Sequence, residues 1–251
     1  ILPDTSGQPQ TIKNAICLHE EDDAVLWKHV DPDAGTEVRR MRRFVVSVHA
    51  TVANYEYLVY WRFYPDGNIE CEIRATGIMV STPMEDETAT FPTGTVIDRR
   101  TYAPYHQHFL VARLDLDIDG DDNTVIESDS MAAPISDTNP LGLDLNTHGT
   151  VIKSEAESGR TFNWERQRSW KVQNPNRLNA WSAPTAYKLV PSASFPAMFD
   201  ESSPILKRNP VIGNTLWVTQ HHETEMWPAG DYPTQSTDDL GNGMSAWIAD
   251  D

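Results

Sequence analysis

Residues 43–80 read RFVVSVHATVANYEYLVYWRFYPDGNIECEIRATGIMV, and this stretch decides the fold class. Its apolar positions are filled by β-branched and aromatic side chains, and the PDGN group at 65–68 interrupts them with turn-forming residues. That pattern predicts strands at 43–52, 54–64 and 69–80, the last two joined as a hairpin around Asp66 and Gly67. Along the first hairpin arm Tyr55, Tyr57, Val59, Trp61 and Phe63 share one face, while Asn54, Glu56, Leu58, Tyr60 and Arg62 share the other. Both faces read as largely covered, which predicts a strand inside a sandwich.

Working outward, further strands are expected at 24–29, 105–117, 124–130, 185–190 and 214–222, whereas 154–167 and 174–185 read as polar connections and 222–245 as a long loop. Helical periodicity is scarce and no repeat stands out. The expected fold class is therefore all-β: a large antiparallel β-sandwich with few short helices, occupying residues 1–251 as a single domain. The 251 residues suffice for a sizeable core, and no apolar run approaches the roughly 20 residues that span a membrane. A formal charge of −17 repels phosphate backbones and argues against nucleic acid as a partner, while cationic small molecules are attracted. The opening ILPDTSGQPQ has neither a basic nor an apolar leader segment, so nothing there reads as a signal peptide, and that end is read as processed or cut. Cys17 and Cys71 make no disulfide framework and no CxxC metal cluster; a pair and buried free thiols both stay open.

Two groups carry candidate chemistry. His106 and His108, in HQH, lie two apart on an expected strand, so their imidazoles would share one side and one metal ion, or would be two hydrogen-bonded core histidines. A third donor would be needed, and spacing selects none of the other histidines. The stretch DLDIDGDDNTVIE places Asp115, Asp117 and Asp119 before Gly120 as a calcium loop would, but Glu127 arrives one residue late and the flank alternates like a strand. A hard-cation site using Asp115, Asp117 and the carbonyl of Leu116 competes with a solvated acidic turn. HEEDD (19–23) and HHETE (221–225) read as solvated loop clusters. No GxSxG, HExxH, phosphate-binding or dinucleotide fingerprint is present, so those chemistries lose support.

NYEY (54–57), followed by HQH (106–108) and RLDLDIDG (113–120), resembles the copper-containing amine oxidases. NAICLHEED (14–22), LWKH (26–29), ATG (75–77), AYKL (186–189), LWVT (216–219) and GDYP (230–233) match family landmarks in the family's order, so the resemblance spans the chain. It implies oxidative deamination of primary amines to aldehyde, ammonia and hydrogen peroxide with O2 as oxidant. By the same resemblance Tyr55 is the precursor of the topaquinone cofactor, and Asn54 restrains its ring. His106 and His108 bind copper, and Asp115, Leu116 and Asp117 hold a structural cation, calcium. The family is typically a homodimer with long arms that embrace the second subunit. Its catalytic aspartate matches a position before Ile1 and its third copper histidine one after Asp251, so both ends look truncated relative to the family. Cys17 matches a cysteine whose disulfide partner in many members lies upstream, which favours a secreted or periplasmic setting. The competing expectations are a non-catalytic, metal-stabilised β-sandwich module or inactive fragment, and another copper or iron oxygenase that uses the HxH pair.

Overall fold

The computed structural model describes residues 2–86, 92–191, 195–231 and 243–249. The chain forms two compact units, Ile1–His106 and Gln107–Asp251. Within the first, β1 (Leu2–Pro3) pairs with β2 (Pro9–Gln10), and a four-stranded antiparallel sheet follows in simple sequence order. Its members are β3 (Ile16–Asp31), β4 (Gly35–Val52), β5 (Tyr55–Phe63) and β6 (Ile69–Gly77). A second sheet has β9 (Thr101–Pro104) between β7 (Thr82–Pro83) and β8 (Gly94–Asp98). The second unit holds β10 (Thr124–Ala132), β11 (Leu145–Val151), β12 (Ser169–Leu178) and β13 (Pro184–Leu189), in the order β11-β10-β12-β13. Among the described residues the helices are short: α1 (Pro204–Arg208), a 3-10 turn at Pro210–Gly213, and α2 (Met244–Trp247).

The hairpin expected around Asp66 and Gly67 forms as read, with Phe63 facing Ile69 and Tyr55 facing Gly77. Asp66 accepts the backbone N–H of Asn68 at 3.0 Å, and Gly67 holds φ +86, a conformation that a residue without Cβ adopts freely. Trp170 on β12 is 1% exposed and donates its indole N–H to Glu127 Oε2 on β10 at 3.1 Å, which satisfies the polar edge of a buried ring. Val211, Met244 and Trp247 form a small separate core with Trp217 and Ile248 packed on it.

Both faces of β5 are largely covered as expected, with Tyr55–Trp61 half-buried and Arg62 buried, whereas the sheet around it is covered unevenly. The face carrying Val45, Ser47 and Arg62 is the buried one, with Arg62 only 3% exposed. On the opposite face Phe44, Val48, Phe63 and Ile69 remain 38–50% exposed. Alternation separates the two faces but cannot say which one another layer covers.

Two expected strands are absent. Residues 105–117 form no ladder: the Tyr105 N–H binds the Thr93 carbonyl, but past it no described backbone pairs with the segment, and Leu110, Val111 and Leu114 stay exposed. At 214–222 only an isolated bridge, Arg160 to Leu216, forms. Conversely β12 runs through Asn174–Leu178, where polar residues and Pro175 predicted a connection; a register shift between Asn174 and Leu178 accommodates that proline. Of the loop expected at 222–245, residues 232–242 lie outside the described residues, and Met244 already belongs to α2. Among the described residues no helix is long and apolar enough to cross a membrane.

Arg62 is embedded in a charged lattice on β5 and β6. Its Nη1 lies 2.7 Å from Glu70 and its Nη2 pairs with Glu72, while its guanidinium sits 5.1 Å from the Tyr60 ring centroid. Arg74 approaches the same ring at 4.9 Å and also pairs with Glu72. The hydrogen bond from Arg74, assisted by Arg62 and opposed by desolvation, pushes the Glu72 carboxyl down to about 2 from its ordinary 4.5. A depressed carboxyl stabilises the fold above its unfolded value and ceases to do so as pH falls through its folded value. The contribution of Glu72 is therefore expected to be complete above pH 4.5 and to disappear between 4.5 and about 2. Urea unfolding of Glu72→Gln checks this: the variant starts less stable at neutral pH and loses less over that window. Parallel acid limbs for the two proteins would contradict it.

Candidate metal and cofactor centre

β4 and β5 are joined by a two-residue turn, Ala53–Asn54, with Val52 facing Tyr55 across it and Ala53 at φ +53. Tyr55 is thus the first residue of β5, half-buried, with its side chain on the Tyr57–Trp61 face. His106 arrives from the other sheet of the same unit, two residues past the end of β9. Gly94 faces Pro104 there, and Thr93 accepts the N–H of Tyr105 at 2.8 Å, so the strand end before His106 is tied down by backbone pairing.

These two placements bring Tyr55 Oη within 2.7 Å of His106 Nε2. The other imidazole nitrogen, Nδ1, lies 2.9 Å from the carbonyl of Pro104, which has only lone pairs to offer, so Nδ1 carries the proton and donates. Nε2 is then the acceptor and the Tyr55 hydroxyl donates to it. The Val80 N–H in turn donates to Tyr55 Oη at 3.4 Å. A proton-carrying Nδ1 bonded to a backbone carbonyl is the arrangement that orients a metal-binding imidazole and leaves Nε2 for the ion. An imidazole nitrogen and a phenol oxygen are, besides, donor types that a copper ion accepts. Tyr55 and His106 therefore fit a copper ion as a donor pair. Among the described residues no group of three or more His, Cys, Asp or Glu side chains converges on one point.

The strand expected to align His106 with His108 does not form, so period-two alternation does not carry the pairing. His106 closes the first unit, and His108, exposed, belongs to the second. Asn54 is exposed, and its backbone carbonyl accepts the Ile78 N–H at 2.7 Å.

Asp115, Leu116 and Asp117 lie together in the second unit, all exposed. Asp117 Oδ1 accepts the Gly120 N–H at 3.0 Å and so caps the acidic turn. Asp115 Oδ2 lies 3.2 Å from His221, which in turn contacts Arg113 Nη2 at 3.1 Å. A calcium ion takes six to eight oxygens, so these residues supply only part of such a shell. His221, which spacing could not select, is brought to Asp115 only in the folded chain.

The other clusters also change character. His19, Glu21 and Asp23 lie on β3 rather than in a loop: His19 Nε2 is 2.9 Å from Glu21, and Arg43 on β4 binds Glu21 at 2.8 Å and Asp23 at 3.0 Å. Glu225 of HHETE is 6% exposed, so that segment is not simply solvated. Cys17 and Cys71 are free and both exposed, so neither is a buried core thiol.

Comparison with known proteins accords with this geometry. A family model described as copper amine oxidase, enzyme domain, matches residues 1–251. A histamine oxidase from Arthrobacter globiformis is 40% identical over 252 residues, covering 100% of this chain and 36% of its own. A peroxisomal primary amine oxidase from Pichia angusta is 38% identical over 258 residues, covering 98% and 37%. The crystal structure of a copper-containing benzylamine oxidase from Hansenula polymorpha superposes with a TM-score of 0.86 at 34% identity, over 94% of this chain and 37% of that one. The chain thus spans little more than a third of the length of these relatives. With an antiparallel β architecture, a tyrosine hydrogen-bonded to a histidine, and a match along its whole length, the chain belongs to the copper amine oxidase family, within the enzyme domain.

Proposed function

We propose that this chain carries the cofactor tyrosine and part of the copper site of a primary-amine oxidase that forms aldehyde, ammonia and hydrogen peroxide at the expense of O2. The 2.7 Å approach of Tyr55 Oη to His106 Nε2 carries this reading. Copper, when bound, makes the phenol ring susceptible to O2, and the resulting topaquinone supplies the electrophile that a primary amine attacks. This chain's own residues prepare that chemistry. Pro104 holds the proton of His106 on Nδ1, so Nε2 is ready to accept the Tyr55 hydroxyl proton or to bind the ion. His108 contributes a second imidazole, and Asn54 limits the range of ring orientations at Tyr55. Asp115, the Leu116 carbonyl and Asp117 contribute to a calcium site completed by other oxygens. In this reading residues 1–251 form one stretch of a single catalytic domain.

A homodimer is part of the proposal. β5 pairs with β4 only over Phe44–Val52, so beyond that point β3 and β4 continue to Asp31 and Gly35 as a two-stranded ribbon. Val25, Trp27, Val30 and Val38 on it are 42–61% exposed. An isolated two-stranded ribbon is marginally stable in water, which supports an arm resting on a second copy. Sedimentation equilibrium of the whole protein checks the dimer, and a monomer at micromolar concentration would exclude it.

The test of the chemistry is the mass of the peptide containing Tyr55, taken after the metal-free whole protein is loaded with Cu(II) in air. The expected result is a gain of two oxygens and loss of two hydrogens on that residue. An unmodified Tyr55 with copper bound would instead favour a non-catalytic, metal-stabilised β module.

A further inference from the structure

Tyr55 opens β5 directly opposite Gly77, the last residue of β6. Gly77 holds φ +106, a conformation that residues with a Cβ rarely adopt. A Cβ built there would lie 2.5 Å from the Asn54 carbonyl oxygen, 2.9 Å from Tyr55 Cα and 3.0 Å from the Glu56 nitrogen. All three are backbone atoms of Asn54–Glu56, where the turn enters β5, so no flexible side chain can swing aside to make room. Past Gly77 the chain closes over the same strand: the Ile78 N–H binds the Asn54 carbonyl at 2.7 Å, and the Val80 N–H reaches Tyr55 Oη at 3.4 Å. Only then does it enter β7 in the sheet that leads to His106. Four consecutive residues therefore hold Tyr55 at both ends, by its backbone and by its phenol oxygen.

We propose that Gly77–Val80 is a backbone clamp that aims the Tyr55 phenol at His106, with Gly77 the positioning residue that allows it to close. The proposal rests on the reading of Tyr55 as the cofactor precursor and identifies what orients it. The phenol oxygen sits at the far end of the side chain, so a displacement of Tyr55 Cα by a methyl group at position 77 is carried to the donor pair. Misplacement of a reacting group by about 1 Å costs on the order of 10²-fold in rate. The clamp is also independent of side-chain identity at 78–80, since both of its hydrogen bonds come from backbone N–H groups.

The experiment compares Gly77→Ala with Gly67→Ala in the whole protein. Gly67 also has a positive φ, +86, but nothing lies within 4 Å of its absent Cβ, so it reports backbone strain without the close approach. Two readouts are taken: crystal structures of the metal-free proteins, and the rate at which quinone absorbance appears after Cu(II) and air are added, with bound copper measured in parallel. Gly77→Ala is expected to separate Tyr55 Oη from His106 Nε2 beyond hydrogen-bonding reach and to slow quinone formation by about 10- to 100-fold with Tyr55 in place. Gly67→Ala is expected to leave both unchanged. Replacing the Val80 amide by an ester removes only one N–H and is expected to slow formation by about 2- to 10-fold, which keeps the test decisive should Gly77→Ala fail to fold. An unaltered separation and rate in Gly77→Ala, equal slowing in Gly67→Ala, or a wild-type rate in the ester protein would overturn the clamp. A wild-type protein that binds copper and never modifies Tyr55 would overturn the cofactor reading instead, and the metal-free crystal structures would then decide the clamp alone.

Discussion

Replacing Tyr55 by phenylalanine is expected to abolish amine-dependent O2 consumption while copper stays bound. Phenylalanine keeps the ring and its packing on the Tyr57–Trp61 face but removes the oxygen that lies 2.7 Å from His106 Nε2. On the proposed reading that oxygen belongs to the phenol that copper would activate, so its removal leaves no precursor for the electrophile at this position. The expected loss in kcat/KM is on the order of 10⁴-fold or more, the scale seen when a group that acts as an indivisible part of the machinery is deleted. The fold itself loses the hydrogen bonds of Tyr55 Oη with His106 Nε2 and the Val80 N–H, each worth about 0.5–1.5 kcal/mol, so unfolding should shift by roughly 1–3 kcal/mol. Amine oxidation at an appreciable rate in Tyr55→Phe would mean that the cofactor arises elsewhere.

The second large effect is expected for His106→Ala. The imidazole is oriented by Pro104 and presents Nε2 to Tyr55, so its removal takes away the acceptor of the phenol proton and, on the proposed reading, a metal donor. Loss of a residue that merely supports a ligand costs roughly 10- to 100-fold in metal affinity, and loss of the ligand should cost more. Tyr55 should consequently stay unmodified even with excess Cu(II). His49→Ala is the control, because His49 packs edge-on against Tyr60 at 6.3 Å and is not part of the donor pair. Equal copper affinity in His106→Ala and wild type, by competition with a chelator of known strength, would remove His106 from the site.

Much of the first unit was legible because its signals are local. The β5–β6 hairpin follows from a DG turn flanked by alternating β-formers, and β10 and β13 follow from the same kind of reading. What misled was also local in form. FLVARLDLD alternates well, yet a strand exists only where a partner backbone accepts its hydrogen bonds, and among the described residues none does. In β12 the reverse happened: Pro175 and several asparagines argued for a connection, and a register shift let the ladder continue. Arg62 shows the same limit for burial, since its place in the strand was readable whereas its enclosure among Glu70, Glu72 and Tyr60 depends on cross-strand neighbours.

By itself the sequence determined the all-β class, the position of the main hairpin, and, through the order of NYEY, HQH and RLDLDIDG, the family. Those properties are carried by residues a few positions apart, or by motif order, and need no knowledge of contacts. Only the tertiary structure decided that Tyr55 meets His106, that His221 meets Asp115, and that Gly77 lies against the Tyr55 backbone. Tyr55 and His106 are 51 residues apart, and alternation along either segment is silent about distance across that gap. Their meeting depends on the way the chain crosses from one sheet to the next at Gly77–Val80, where a Cβ at Gly77 would lie 2.5 Å from the Asn54 carbonyl oxygen.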